Sequence, residues 1–264
     1  MSDELEFGLP ERFAPPSLPI RVPDERVLNR AHCAAFRREG YVVVNDFLKP
    51  REVEYIRGIY DELFADEAGT KDGNYCQSQG KDGTRLEIRN CSKYRPELLR
   101  TALYTKALAL ARQLLGRKAE FWGDFAMCKP PGNGGHTPWH QDEAHWSPAY
   151  RYNHLAVWVP LQDVSKENGC MSFIPRSHKW GIITHDATHA AGCAKIQTRA
   201  VDESLAVLRP MPAGAASVHH CRTLHYAGPN TSNAPRRAYI LNFGTPLKYR
   251  RFFKRTFSWA TPGM

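Results

Sequence analysis

Ser217-Val218-His219-His220-Cys221-Arg222-Thr223-Leu224-His225-Tyr226-Ala227-Gly228-Pro229-Asn230, followed by Arg236-Arg237-Ala238-Tyr239-Ile240-Leu241-Asn242-Phe243, is the stretch that decides the fold. An apolar, alternating run enters a Gly-Pro-Asn turn and a second such run leaves it. That is two strands joined at a turn, with His225 at a strand end and Arg236 brought back beside it. Working outward, short runs of the same kind occupy 119–128, 137–143, 154–164, 170–174, 205–208, 215–220 and 236–244, separated by Gly, Pro and Asn. Short strands so punctuated predict a sandwich or barrel.

The chain before Gly116 has a different character. Residues 1–25 are proline-rich from about residue 8 and are expected to run extended. A helix is predicted over 24–38, with Asp24 as cap and Gly40 as terminator, then a short strand Tyr41-Val42-Val43-Val44. A second helix over 50–64 carries Val53, Ile56, Ile59, Tyr60 and Phe64 at helical spacing. Residues 65–84 read as a loop, 85–89 as an alternating strand and 95–115 as a third helix. The expected organisation is helical support over 26–116, a β core over 117–246 and a basic, aromatic segment over 247–264, all one domain after residue 25.

With 264 residues, 42% hydrophobic and 24% charged, the chain has the composition of a water-soluble globular protein. It offers no run of the length a membrane span needs, and its acidic start lacks the order of a signal peptide, so a cytoplasmic location is expected. Seven cysteines, an odd number with no CxxC pair, suggest free thiols in a reducing compartment. The net charge of +9 is dispersed except for Lys248, Arg250, Arg251, Lys254 and Arg255 near the end. It is explained as well by a pocket for an acidic metabolite as by nucleic acid, and no nucleic-acid or membrane partner is expected. Oligomeric state is left open.

Chemistry concentrates at His140-Gln141-Asp142. Two residues apart on extended backbone, His140 and Asp142 leave the same face and can converge on one ion. His225 supplies a third ligand, with His219 and His220 as competitors, and Arg236 follows His225 by eleven residues. Two imidazoles and one carboxylate suit a ferrous ion that keeps positions open for a chelating co-substrate and dioxygen. A guanidinium near it presents a fork for the far carboxylate of a 2-oxo diacid. Arg237 points to the opposite face.

Four segments together resemble the phytanoyl-CoA dioxygenase family of Fe(II)/2-oxoglutarate oxygenases. They are Gly40–Val44 with the following helix; Trp139–Asp142; Trp158–Asp163 running into Glu167–Cys170 and Ile174–His178; and His225–Asn230 to Arg236. The resemblance implies a mainly β fold, a double-stranded β-helix (a cupin-like jelly roll), with N-terminal helices. It implies His140, Asp142 and His225 as iron ligands, Arg236 as partner of the 2-oxoglutarate C5 carboxylate, and Trp158 and Phe125 beside the co-substrate. The implied cofactors are Fe(II), 2-oxoglutarate and O2, with ascorbate as a candidate stimulant. The implied reaction oxidises an unactivated C–H bond of a small molecule and releases succinate and CO2.

A carboxylate at 142, where related halogenases carry a small residue, points to hydroxylation, or to desaturation or ring closure. Ala227 stands where the family often has a co-substrate-binding serine, and Lys129 is a candidate substitute, though a surface lysine is the plainer reading. Arg85, Glu87 and Arg89 share one strand face near the pocket, where an inward arginine would select an anion, and Trp146 is a candidate wall. Loops 65–84 and 184–200 are candidate lids. Two other readings use the same scaffold: a zinc or manganese cupin-type isomerase or hydrolase, and a non-catalytic binding protein.

Overall fold

The computed structural model describes residues 26–78, 83–132, 134–190 and 193–250, without the side chains of 187–190 and 193–195. In chain order its principal strands are β1 (Tyr41–Val44), β2 (Tyr75–Ser78), β3 (Arg85–Arg89), β4 (Glu120–Lys129), β5 (Thr137–His140), β6 (His154–Pro160), β7 (Met171–Phe173), β8 (Val207–Arg209), β9 (Ala216–His220), β10 (His225–Ala227) and β11 (Arg236–Gly244). Seven form one antiparallel sheet in the order β1-β9-β6-β11-β4-β3-β2, and four form a second in the order β8-β7-β10-β5. This is the expected double-stranded β-helix.

Three helices, α1 (Arg30–Glu39), α2 (Pro50–Ala65) and α3 (Ala102–Leu115), cover the outer face of the larger sheet. The reason is written in the strands. On β6, Leu155, Val157 and Val159 join the helix-side core with Val53, Ile56 and Leu110, while Ala156 and Trp158 join a second apolar cluster with Phe173 and Ile240. Both faces of the central strands are thus covered by apolar matter, and β6 is buried at all seven positions.

Several boundaries differ from those the sequence predicts. α1 begins at Arg30 because Asn29 caps it by accepting from the His32 N–H at 2.8 Å; Asp24 lies outside the described residues, but Gly40 does end the helix in the left-handed region. The segment predicted as a third helix from residue 95 is broken into a short helix Cys91–Tyr94, a 3-10 turn Pro96–Arg100 and then α3, whose cap Thr101 accepts from the Tyr104 N–H. The predicted loop 65–84 contains β2, paired with β3, and 184–200 contains a two-stranded ribbon, Asp186–Ala190 with Cys193–Gln197. Cys33, Cys91, Cys128, Cys170 and Cys221 are free, but Cys76 is disulfide-bonded, which corrects the free-thiol reading at that position. Among the described residues no helix is long and apolar enough to cross a membrane.

Candidate metal centre and co-substrate pocket

The smaller sheet brings the two ligand-bearing segments together: His225 of β10 stands directly opposite His140 of β5. Their rings lie 4.1 Å apart between centroids, and each Nε2 points at one atom, Oδ1 of Asp142, at 3.5 Å from His140 and 3.4 Å from His225. One ligand atom from each of the three lies within 4.8 Å of the other two, so a single ion can be shared. β5 stops at His140; Asp142 opens a 3-10 turn, Asp142–His145, rather than continuing the strand. The same-face argument survives because Gln141 between them keeps an extended backbone.

The hydrogen bonds set the protonation pattern a metal requires. His140 Nδ1 is 2.8 Å from the Pro138 carbonyl and His225 Nδ1 2.9 Å from that of Thr223. A carbonyl only accepts, so each Nδ1 carries the proton and each Nε2 lone pair faces the focus. Burial, reinforced by the neighbouring His140, holds His225 well below the ordinary imidazole range. Burial alone would raise the Asp142 carboxyl, but His225, His140 and His219, when an imidazole among them carries a proton toward it, hold it well below the usual carboxylate range. Neutral imidazoles beside an ionised carboxylate are the state in which a divalent ion binds.

Neighbouring contacts fix the frame. The buried Gln141 amide donates to the carbonyls of Gly181 and Arg222 at 2.7 Å each, and its oxygen accepts from the Ile183 N–H at 3.0 Å. The buried Glu143 receives a fork from Arg222 at 2.7 and 2.9 Å and a third bond from Arg250 at 2.9 Å. His220, one competitor for the third ligand position, faces away, accepting from the Arg222 N–H at 3.1 Å. His219, the other, is inside, with Nε2 3.4 Å from the second oxygen of Asp142.

Arg236 begins β11 and is wholly buried, with none of its three guanidinium nitrogens hydrogen-bonded. Burial depresses its pKa to about 10, and the next largest influences on it are Tyr60, Cys128, Arg85 and Cys170, none a carboxylate. The guanidinium lies 5.6 Å from the Trp158 ring centroid. Across the sheet Trp158, Ile240 and Phe125 stand in register, and all three line a cavity of 630 Å³ that also meets His140, Asp142 and His225. An unsatisfied buried cation costs the fold energy unless a ligand anion completes it. The donor set and this orphaned guanidinium therefore fit a ferrous ion and a 2-oxo diacid.

Lys129 is not the surface lysine expected. It is fully buried and donates to the carbonyls of Ala227 (2.9 Å) and Gly228, tying β4 to the turn after His225. Arg85 does turn inward: it is 7% exposed, lines the cavity, has no partner for Nε, and reaches Thr137 Oγ1 at 3.4 Å. Trp146 also lines the cavity, packed on Tyr152 and His154. Sequence reasoning did not single out Trp122, Asn90 or Asn242, which also line the cavity, because a polar or aromatic residue gives no signal by itself of which cavity it meets.

This fold and this site define a non-haem iron oxygenase of the 2-oxoglutarate-dependent class. The chain belongs to the phytanoyl-CoA dioxygenase (PhyH) family, whose profile matches residues 36–238. It is 28% identical over 215 residues, covering 78% of this chain and 74% of the relative, to a probable alpha-ketoglutarate-dependent hypophosphite dioxygenase of Stutzerimonas stutzeri. Among solved structures it resembles EvdO2 of Micromonospora carbonacea var. aurantiaca in complex with 2-oxoglutarate (TM-score 0.73, 28% identity, 85% of this chain and 94% of that one). It also resembles the epimerase SnoN in complex with Fe3+, alpha-ketoglutarate and nogalamycin RO (TM-score 0.68, 25% identity, 83% and 85%). The protein is an Fe(II)/2-oxoglutarate-dependent oxygenase of small molecules.

Proposed function

We propose that His140, Asp142 and His225 hold Fe(II), that Arg236 receives the C5 carboxylate of 2-oxoglutarate, and that Trp158 and Phe125 flank that co-substrate. The observation that carries this reading is the buried, unpartnered Arg236 set against Trp158, a residue of the cavity wall that also presents the His-Asp-His focus. When bound, the iron would supply activation of dioxygen and oxidation of a C–H bond, with 2-oxoglutarate leaving as succinate and CO2. The chain's own residues bind, orient and exclude. Trp158, Phe125, Ile240 and Met171 give the cavity its apolar wall, and the fork of Arg236 would fix the co-substrate's direction.

The substrate is read as a small anionic metabolite or natural-product intermediate. Arg85 supports this, as a cavity-facing guanidinium with an unused donor, whereas Asp72 on the same wall is already paired with Lys93 at 2.5 Å. Hydroxylation is the favoured outcome, with desaturation or ring closure open to the same oxidant. The described residues and the rest of the chain to 264 are taken as one domain acting in the cytoplasm.

The test is anaerobic addition of Fe(II) and 2-oxoglutarate to metal-free protein. A weak visible absorption band that needs both, and that His225→Ala abolishes, is the expected result. Succinate release is then followed over a panel of metabolites weighted toward anions. Normal turnover in His225→Ala would show that the ligand assignment is wrong.

A further inference from the structure

His219 projects from β9 into the barrel, 3% exposed, on the cavity wall, its ring 4.3 Å from that of His225 and 5.6 Å from that of Phe173. Its Nε2 lies 3.4 Å from Asp142 Oδ2, while Asp142 Oδ1 is the atom shared by His140 and His225. The two oxygens of one carboxylate are therefore divided, one to the metal focus and one to a third imidazole. Unlike His140 and His225, His219 has no carbonyl at Nδ1 to take its proton, so that proton sits on Nε2 facing a carboxylate that only accepts, leaving Nδ1 as an acceptor. That Nδ1 is buried with no hydrogen-bond partner. An imidazole is thus kept, with an unsatisfied acceptor, in a place where its ring neighbours are apolar or ligands. Packing alone would be served better by a phenyl ring.

We infer that His219 is a positioning residue that holds Asp142 Oδ2 away from the metal and so keeps the carboxylate bound through one oxygen. The inference rests on the proposed metal ligands. Its consequence is a matter of counting. A carboxylate can bind an ion through one oxygen or two. A ferrous ion taking six donors and held by two imidazoles and one carboxylate oxygen would keep about three positions, enough for a chelating 2-oxo acid and dioxygen together. A second carboxylate oxygen would take one of them.

The experiment uses the full-length, metal-free protein and its variants His219→Ala, His219→Phe, His219→Gln and, as control, His225→Ala. Co(II) affinity is measured by titration calorimetry, and the number of exchangeable waters on bound Mn(II) by water-proton relaxation. Removing the donor in His219→Ala or His219→Phe should weaken Co(II) binding about ten- to a hundredfold. The same variants should lower the water count from about three toward about two. His219→Gln places an amide N–H near the position of Nε2 and should restore both. Unchanged affinity and water count in His219→Phe, or rescue by Phe and not by Gln, would overturn the inference and leave a packing role. Unchanged Co(II) binding in His225→Ala would instead overturn the metal reading beneath it.

Discussion

A guanidinium cut off from water with every donor idle is a liability in the empty protein and an asset in the loaded one. Arg236 is in that position, and the two halves of the statement can be separated by one substitution. Arg236→Met keeps the length and removes the charge. Without ligand it should unfold at higher denaturant, by about 1–3 kcal/mol, because a buried unpaired cation has been removed. Its affinity for 2-oxoglutarate should fall at least about thirtyfold, equivalent to about 2 kcal/mol for losing the charged partner of a buried carboxylate. Urea titration of the metal-free protein and co-substrate titration of the iron form check the two halves; a less stable variant that binds 2-oxoglutarate normally would refute both. Ala227 tests the same pocket in the other direction. Its side chain meets the cavity while its carbonyl is held by Lys129. Ala227→Ser adds a hydroxyl there, and one new hydrogen bond of about 1 kcal/mol should tighten 2-oxoglutarate about fivefold. An unchanged dissociation constant would show that the hydroxyl does not reach it.

Between elements, the contact that ties the helical support to the ligand-bearing turn is Gly40. It closes α1 at φ +86°, and its carbonyl accepts from the His220 N–H at 2.9 Å and from Thr223 Oγ1 at 2.7 Å. A Cβ there would stand 2.4 Å from His178 Nδ1 and 2.6 Å from Thr223 Oγ1. Gly40→Ala should therefore cost more than the roughly 1 kcal/mol of left-handed strain, about 2–3 kcal/mol in all, and displace the Thr223 segment that orients His225. Equilibrium unfolding gives the first number, and weaker Co(II) binding reports the second; a fully stable Gly40→Ala would mean the turn yields at no cost. Gly40 also shows what kind of information the sequence carries. Local grammar was readable: Gly40 as a stop, Pro50 at a helix start, the alternation that sends Arg236 inward and Arg237 outward to Asp61 at 2.6 Å. The pairing of His140 with Asp142 in the proposed iron site was readable because the two stand two residues apart about an extended Gln141. β2 was missed because its alternation, Cys76 and Ser78 in and Gln77 out, is carried by small and polar side chains. Lys129 was misjudged because the carbonyls that justify its burial belong to a turn 98 and 99 residues away. The early end of β5 was missed for a similar reason, since Glu143 is drawn in by Arg222 and Arg250, far along the chain.

Over the whole molecule, the formal charge of +9 at neutral pH leaves little tolerance for further protonation, and the buried histidines decide how the fold responds to acid. His154 is the clearest case outside the ligand set. It is 2% exposed, packed between Trp122 and Trp146, with Nδ1 unpartnered, and burial depresses its pKa to about 3. Unfolded, the same group titrates near about 6.5. Above that value neither state holds the proton and His154 adds no pH dependence. Between about 6.5 and 3 the unfolded chain binds a proton that the native protein refuses, so stability falls as pH falls, by up to about 1.4 kcal/mol per unit. His220, also depressed by burial to about 3, acts with the same sign. At pH 5 the share of His154 should be about 2 kcal/mol relative to pH 7.5. Urea unfolding of the metal-free protein at the two pH values should show this loss, and His154→Leu, of similar volume and without a titrating group, should remove that share while leaving the contribution of His220 in place. Equal pH dependence in the variant and the parent would mean that His154 is protonated inside the native fold, and that its aromatic cage admits a charge which the geometry described above gives no partner.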